Sequence, residues 1–549
     1  LPGKIAHLGR FKDIAVTLFR FGFDDIVERL DFPGKEFFEK KHRIDETMNT
    51  WKRIRLMIEE LGPGFIKIGQ ILSLRPDIIP AGLLLELRKL QDEVPPEPYE
   101  VIKKAVEKEL GGAIEKIFSY FDPQPLAGAS LSQVHRAVLG ESRDVVAVKV
   151  QRPGIREVIE VDLDILATLV GQVHERMEQF SPYNLPALVE EIRKTLFQEL
   201  DFQREARQMR IVGNNFIGEK SVHIPKVYEK FTTSNILTME LVVGDHLEDI
   251  EKLPEENRLH LAVSGLRLMI KQIFEDGIFH ADPHPGNVLI VDGTVFCLLD
   301  WGMVGRLTSG SRLLVLDMIE AAIDKDTEKL LEIILSLVKT DVPVEERRLE
   351  RDIMDILDTY HSEPLQRINL GRLLLELSTI FRENRLQLPI DLALMIKALV
   401  TAEGTARQLY PELNVIREAE PYIRRISLAR RTPAAMYKNL IRSVRQYAKL
   451  YNKLPAQFGQ IVDKLSHGDL SIRFKHENLP DLLNSLENIT NRLTFGVIIG
   501  SLIIGSSMII TTGVRPHLFG FPALGIIGYM VSGLLGLWLV FNIIRSKNL

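Results

Sequence analysis

Near the middle of the chain stands His280-Ala281-Asp282-Pro283-His284-Pro285-Gly286-Asn287, and thirteen residues past that Asn comes Asp300-Trp301-Gly302, at the end of an apolar run. An Asp with an Asn five positions on, then an Asp-aromatic-Gly after a short hairpin, is the layout of a catalytic loop and metal-binding turn for phosphoryl transfer. The first Asp orients or deprotonates the acceptor, while the Asn and the second Asp hold the Mg²⁺ ions that neutralise the phosphates. The candidate catalytic carboxylate is therefore Asp282, and the candidate metal ligands are Asn287 and Asp300. A rival metal site built from His280, Asp282 and His284 is disfavoured by Pro283 and Pro285, which break any helix that would set both imidazoles on one face. His280 reads instead as a structural loop histidine that bonds backbone near the metal turn.

Upstream lie the other parts of a nucleotide site. Ala127-Gly128-Ala129-Ser130-Leu131-Ser132-Gln133-Val134 overlies a Gly-x-Gly-x-x-Gly-x-Val phosphate loop, with Ala, Ala and Ser where Gly is usual. Small residues let backbone N–H groups approach phosphates, but Ala and Ser restrict φ, so a stiffer loop is expected. Lys149 ends Val-Ala-Val-Lys inside a dense β run. An unpaired buried ammonium is costly. The alternatives are an edge-strand lysine facing water, or a catalytic lysine that reaches the α/β-phosphates and is held by a helix carboxylate, for which Glu205 is the candidate. Glu199 and Asp201 lie a turn or more before it and read, taken alone, as a solvated acidic helix face. Met239–Gly244 reads as the link between two lobes, with backbone at Glu240 and Val242 bonding adenine.

The texture around these motifs fits that plan. Residues 1–125 read as mostly helical, interrupted at Gly62-Pro63-Gly64 and Pro95–Pro98. Strands are expected at 132–138, 145–150, 235–243, 288–290 and 295–299, the last two joined through Asp292-Gly293. Residues 155–212, 257–277 and the chain beyond Ser309 read as helical. The fold class expected is α+β: a bilobal protein-kinase-like fold with a helical N-terminal extension (1–125), an N-lobe (126–243), a helical C-lobe (244–420), an amphipathic linker (421–490) and a C-terminal transmembrane helical hairpin (491–549).

Composition narrows the classes. Of 549 residues 45% are hydrophobic, and the net charge is −5 without a long basic tract, so nucleic acid is not expected as a partner. The single cysteine, Cys297, lies in an apolar strand and reads as a buried thiol suited to a reducing compartment. Leu1–Asp31 lacks the uninterrupted apolar core of a secretory signal.

Together these pieces resemble the UbiB family of atypical kinases, bacterial relatives of the mitochondrial coenzyme Q kinase-like proteins. Lys67-Ile68-Gly69-Gln70 matches its Lys-x-Gly-Gln motif, Ala127–Ser130 is similar to its Ala-rich loop with Gly128 for one Ala, and Glu199-Leu200-Asp201 matches its Glu-x-Asp motif. The resemblance implies ATP and Mg²⁺ as cofactors and an extension folded over the cleft, with Lys67 and Gln70 where a protein substrate would enter. It also implies Lys67 pairing with the Glu199/Asp201 carboxylates. It further implies ATPase or kinase activity linked to lipid and to ubiquinone biosynthesis, with quinone precursors and quinone-biosynthesis enzymes as partners. A nucleotide-binding pseudokinase scaffold and a lipid or small-molecule kinase are the alternatives.

At the C-terminus, Leu493–Val514 and Pro522–Ile544 are uncharged runs of 22 and 23 residues. At ~1.5 Å per residue the first spans ~33 Å, a bilayer core. Small residues at Gly496, Gly500, Gly525, Gly528, Ser532 and Gly536 suit a hairpin that packs in cis or pairs two protomers as a homodimer. Arg492, Arg545 and Lys547 outweigh Arg515, which sets both ends on the cytoplasmic side of a bacterial inner membrane. The arginines at 424, 425, 430, 431, 442 and 445 suit either a solvated helix or an arm resting on anionic lipid.

Ala281 stands where regulated protein kinases carry Arg, and no Ala-Pro-Glu follows Asp300-Trp301-Gly302, so the platform for a protein substrate is missing. The purified chain is expected to leave a peptide library unphosphorylated; robust labelling would overturn this reading.

Overall fold

The computed structural model describes residues 2–23, 48–90, 94–176, 184–247, 253–324, 326–338, 344–362, 370–430 and 479–545. In chain order the helices are α1 (Pro2–Arg20), α2 (Thr50–Leu61), α3 (Pro63–Leu72), α4 (Ala81–Leu87), α5 (Tyr99–Leu110), α6 (Ile114–Ile117), α7 (Ile155–Arg176), α8 (Leu185–Glu199) and α9 (Phe202–Asn215). They continue as α10 (Glu255–Ile270), α11 (Ser309–Asp324), α12 (Thr327–Leu337), α13 (Glu346–Ser362), α14 (Leu370–Glu383), α15 (Ile390–Leu409), α16 (Val415–Arg430), α17 (Leu479–Thr511) and α18 (Ala523–Arg545). The strands used below are β1 (Phe118–Gly128), β2 (Ser132–Leu139), β3 (Val145–Gln151), β4 (Val222–His223), β5 (Ile236–Glu240), β6 (Asp245–His246), β7 (Ile278–His280), β8 (Val288–Val291), β9 (Val295–Leu298) and β10 (Val304–Arg306). The chain divides into two compact units, residues 1–437 and 438–549.

In the first unit, β1-β2-β3-β5 form an antiparallel sheet with β3 in an interior position. Strand alternation sends Val146, Val148 and Val150 of β3 to one face, where they pack with Ile102, Val106, Ile114 and Phe118. Ala147 and Lys149 take the other face, toward the helical lobe. The edge-strand alternative for Lys149 is thereby excluded, because its backbone is flanked by Val134 on β2 and Leu237 on β5.

The sheet begins earlier than the texture change at Leu126, since β1 starts at Phe118. Pro123 and Pro125 hide this strand in the sequence. They are tolerated because β1 is an edge strand whose register against β2 slips three times. The helical run expected over 155–212 is divided among α7, α8 and α9. The expected strand 235–243 ends at Glu240, after which the chain turns irregularly. There Gly244 passes so close to β8 that a Cβ would stand 2.8 Å from the Ile290 carbonyl oxygen, which glycine alone avoids.

A second sheet, β4-β9-β8-β6, carries the hairpin expected at Asp292-Gly293. Both turn residues take positive φ, 50° and 68°, as an Asp-Gly hairpin turn demands. Cys297 is wholly buried on β9, and burial pushes its thiol up to about 12. The helical lobe packs α10 against α15 and α16, around a core that includes Trp301, Phe279, Leu266 and Leu394.

The N-terminal extension has its own core. Phe65, Ile68 and Ile71 of α3 meet Ile159 and Leu163 of α7, Leu196 of α8 and Leu131 of the phosphate loop. Its far end is tied down by charge. Arg75, almost wholly buried, donates to both oxygens of Asp77 at 3.0 and 2.9 Å and to Glu191 on α8 at 2.7 Å. Asp77 also accepts the Leu388 backbone N–H at 3.0 Å, and Arg382 on α14 donates to the Pro76 and Ile79 carbonyls. The extension is thus bonded both to the N-lobe side of the cleft and to the helical lobe.

In the second unit α17 and α18 pack together. Phe495 and Trp538 rings lie 5.5 Å apart, and Gly525 and Gly528 sit against Ser506 and Ile510, where a Cβ would collide. Among the described residues one segment, Leu493–Thr511, is long and apolar enough to cross a membrane; the apolar part of α18, Ala523–Leu539, is shorter. The small-residue stripe is used selectively: Gly525, Gly528 and buried Ser532 lie toward the helix pair, whereas Gly496, Gly500 and Gly536 have nothing within 4 Å of a Cβ. Of the basic segment, Arg424 pairs with Glu420 and Arg425 with Glu275 on the lobe itself. Arg431, Arg442, Arg445 and Lys547 lie outside the described residues, as do the side chains of Arg430, Arg492 and Arg545.

Removing one partner of a buried ion pair strands the other charge, which costs about 3 kcal/mol or more. Asp77→Ala should therefore lower the urea midpoint of the first unit substantially, and Asp77→Asn less, because the amide oxygen still accepts from Arg75; midpoints unchanged from wild type would contradict the role assigned to this clamp.

Candidate active site

β3 aims Lys149 into the cleft between the lobes, and α9 brings Glu205 to meet it. The ammonium lies 3.0 Å from each Glu205 oxygen and 3.1 Å from Asp300 Oδ1. Desolvation works to discharge Lys149, but Asp300 and Glu205 outweigh it and raise its pKa above that of a free lysine. Burial pushes Glu205 up to about 7 against the pull of Lys149. Desolvation also pulls Asp300 upward, but its side chain is half open, and the Lys149 and Lys67 ammonium groups hold it well below the usual carboxylate range.

Glu205 does a second job. Its Oε1 accepts the Trp301 backbone N–H at 3.2 Å, so the carboxylate that holds the lysine also fixes the Asp300-Trp301-Gly302 turn. Asp300 sits at φ +40°, a left-handed conformation that costs energy at a non-glycine residue and clusters at functional sites. Its Oδ1 accepts the Gly302 N–H at 3.1 Å, and the Trp301 indole, fully buried, donates to the Leu298 carbonyl.

His280 joins the two catalytic segments from beneath. Burial lowers its pKa and keeps it neutral. Nε2 donates to the Leu299 carbonyl at 2.9 Å, and Nδ1 accepts the Asp282 N–H at 3.1 Å. Both nitrogens are thereby spent on backbone, which is the structural role expected and excludes His280 as a metal ligand. Its own N–H donates to Gln272 Oε1, on a π-helical turn (Lys271–Asp276) that continues α10. Ala281 is wholly buried in the lobe core, which leaves no room for arginine.

Asp282 faces the cleft, part exposed, and its Oδ1 lies 2.8 Å from Lys397 Nζ on α15. Desolvation works against its charge, but Lys397 and then His284 outweigh it and hold the carboxyl below its ordinary range. Asn287 Nδ2 donates to the Asp282 carbonyl at 3.2 Å, which leaves the lone pairs of the amide oxygen to meet a cation.

Glu199, Asp201 and Glu205 do not share one helix face. Glu199 ends α8, Asp201 caps α9 by accepting the Gln203 N–H, and Glu205 lies in the first turn of α9. Lys67 pairs with Glu199 at 2.8 Å, while Asp201 is engaged in the cap and with Arg207. Glu199 packs beside the Asp300-Trp301-Gly302 turn, and its Oε2 is buried without a protein partner. An orphaned carboxylate oxygen, Asp300 and the Asn287 amide oxygen are hard oxygen donors of the type Mg²⁺ takes, so the residues present fit that ion. Gln70, one turn after Lys67 on α3, donates to the Leu90 carbonyl at 3.2 Å, pinning α3 to the chain beyond α4.

The loop expected to cover phosphates is the turn between β1 and β2, in which Ala127 pairs with Val134 and Gly128 with Gln133. None of residues 127–131 takes a positive φ, so alanine and serine fit without strain. Leu131 and Ser130 are buried, and the Ala129 N–H is bonded to the Ser132 carbonyl. Arg152 clamps the turn: it donates to the Ala129 and Val94 carbonyls and pairs with Glu97, whose own N–H meets the Gln133 side chain. Arg152 thus ties the loop to the chain that precedes α5. At the lobe link, the Glu240 N–H is taken by the Lys226 carbonyl, and its carboxylate accepts from His223 and the Lys226 N–H.

Sequence reasoning missed Lys397, Arg152 and Gln272. The signal for Lys397 was legible as a lone cation in the apolar run Leu392–Val400. Nothing in the sequence pointed to its partner 115 residues away.

Residues 89–334 match an ABC1 atypical kinase-like domain, residues 353–414 a UbiB helical domain and residues 477–545 an ABC1/UbiB kinase-like C-terminal domain. The chain is 32% identical to an uncharacterised protein in the hydrogenase 1 5′ region of Clostridium pasteurianum, over 98% of this chain and 99% of that one. It is 33% identical to the probable protein kinase UbiB of Cellvibrio japonicus, over 74% of each. Among solved structures, a Mycobacterium tuberculosis protein in complex with erythromycin superposes with a TM-score of 0.48 at 22% identity, over 67% of this chain and 94% of that one.

Losing a charged hydrogen bond costs about 1.5–3 kcal/mol, so Lys149→Ala and Asp300→Asn should each weaken Mg-ATP binding by about tenfold or more in calorimetric titration; unchanged affinity in both would refute the site.

Proposed function

The chain belongs to the ABC1/UbiB family of atypical kinase-like proteins, and from that premise we propose that it is a membrane-anchored ATPase or atypical kinase that supports isoprenoid-quinone, specifically ubiquinone, biosynthesis. The observation that carries the reading is the Lys149 ammonium bridging Glu205 and Asp300, with Asp282 and Asn287 on the facing loop. A dead kinase fold has no reason to keep all five.

In this reading the Ala127–Val134 turn covers the phosphates, Lys149 reaches the α/β-phosphates, and adenine meets the backbone at Glu240 and Val242, through the carbonyl at Glu240 because its N–H is already engaged. Bound Mg²⁺ supplies charge neutralisation at the phosphate oxygens. Asn287, Asp300 and Glu199 are the residues that would hold it. Asp282, kept ionised by Lys397, orients the nucleophile and accepts its proton. Lys67, paired to Glu199 beside Gly302, would stand in the way of a bulky protein acceptor, which favours water or a small hydroxylated acceptor. The two apolar helices would anchor the chain by two passes to the bacterial inner membrane with the catalytic unit on the cytoplasmic side. Membrane lipids, quinone precursors and quinone-biosynthesis enzymes are the partners this implies.

The purified full chain should hydrolyse Mg-ATP, faster with liposomes and quinone-precursor mimics. Asp282→Asn should abolish turnover while nucleotide still binds; turnover that survives in Asp282→Asn would reject Asp282 as the catalytic carboxylate, and binding without turnover in the wild type would favour a scaffold instead.

A further inference from the structure

The catalytic loop supplies no cation of its own to the phosphoryl group in transit. Ala281 precedes Asp282, Pro283 follows it, and His284 is exposed with Nδ1 accepting the Gly286 N–H. Lys149 is committed on the other side of the site, to Glu205 and Asp300. Yet the group passing from ATP to its acceptor carries charge on three equatorial oxygens, and stabilising that charge is the main work of such a site.

α15 brings a cation to the vacant side. Its neighbours Leu394, Met395, Ile396 and Ala398 are buried, an environment in which an ammonium is costly unless it is paired. Lys397 meets Asp282 Oδ1 at 2.8 Å, and both side chains are 28% exposed, so the pair opens toward the cleft rather than lying sealed in the core. A lysine ammonium has three donors, and the bond to Asp282 uses one.

We propose that Lys397, contributed by the helical domain rather than by the kinase-like domain, is a catalytic residue of this site. It holds the Asp282 carboxylate in the resting cleft and donates to the oxygens of the transferred phosphoryl group once nucleotide is in place. The inference rests on the phosphoryl-transfer reading above. In the step, the oxygen of water or of an alcohol bonds to the γ-phosphorus while the bond from that phosphorus to the β–γ bridging oxygen breaks. The bridging electron pair leaves on ADP, and the nucleophile's proton passes to Asp282. Lys397 keeps its proton throughout; as it turns toward the phosphoryl oxygens it frees Asp282 to accept from the nucleophile. The kinase-like and helical segments then form one active site, and neither is complete alone.

The test uses the full chain in liposomes as wild type, Lys397→Met, Lys397→Arg and Asp282→Asn. Three quantities are measured: single-turnover ATP hydrolysis, affinity for ADP, and affinity for ADP with aluminium fluoride, a mimic of the phosphoryl group in transit. Lys397→Met should slow turnover about 100-fold and weaken the ADP–aluminium fluoride complex by a similar factor. Its ADP affinity should stay within about twofold of wild type, and Lys397→Arg should recover part of both losses. Turnover near the wild-type rate in Lys397→Met overturns the proposal, and so does turnover lost with aluminium fluoride affinity intact, since that marks a lysine acting only through Asp282. If Lys397→Met also loses ADP affinity, Lys397→Arg decides: recovered aluminium fluoride affinity supports the proposal, and none rejects it. A wild type that binds nucleotide without turnover removes the phosphoryl-transfer reading and this inference with it, whereas a wild type silenced by Asp282→Asn but not by Lys397→Met removes the inference alone.

Discussion

An ammonium group inside an antiparallel sheet can be retained only if carboxylates meet it, and the cleft is organised around meeting this one. Lys149 is fixed by the pairing of β3 on both sides. Glu205 must therefore come to it, which sets the approach of α9, and Asp300 must come from the other lobe. Because Glu205 also accepts the Trp301 N–H, one carboxylate ties the N-lobe lysine to the Asp300-Trp301-Gly302 turn. Neutral His280, held between the Leu299 carbonyl and the Asp282 N–H, then ties that turn to the catalytic loop. The geometry from β3 to Asp282 is thus a chain of hydrogen bonds in which each member has a second obligation.

Two segments outside the matched kinase-like domain, residues 89–334, add cations to the ends of this chain. Lys67 of the extension reaches Glu199 beside the metal turn, and Lys397 of the helical domain reaches Asp282. The extension is bonded at Arg75 and Asp77 to both α8 and the helical lobe, so Lys67 is presented by a braced element rather than by a loose arm. Arg152 extends the same bracing to the phosphate loop through the Val94–Glu97 segment.

Most of the cleft was legible in the sequence because its parts are local. The Asp282–Asn287 spacing, the Asp-aromatic-Gly turn, the Val-Ala-Val-Lys strand and the Asp292-Gly293 hairpin each fit within a few residues, and the buried thiol of Cys297 followed from its apolar strand. The losses were of two kinds. Where local signals conflicted, the reading slipped: prolines masked β1, and three acidic residues that look like one helix face straddle a helix break at Leu200–Asp201. Where a partner is distant in sequence, as with Lys397 and Asp282 or Asp77 and Leu388, no spacing encodes the contact, because burial of the apolar faces of α15 and the extension decides it. The small-residue stripe of the terminal helices shows both effects, since composition marks every candidate glycine but packing uses only some.

The central claim is that this network moves a phosphoryl group rather than merely holding nucleotide. Its most direct test is rapid-quench mixing of the full chain in liposomes with a substoichiometric amount of γ-labelled Mg-ATP. The account predicts that the label leaves ATP in a single exponential phase and appears as inorganic phosphate or on a small acceptor. Label that stays on ATP although all of it is protein-bound would contradict it.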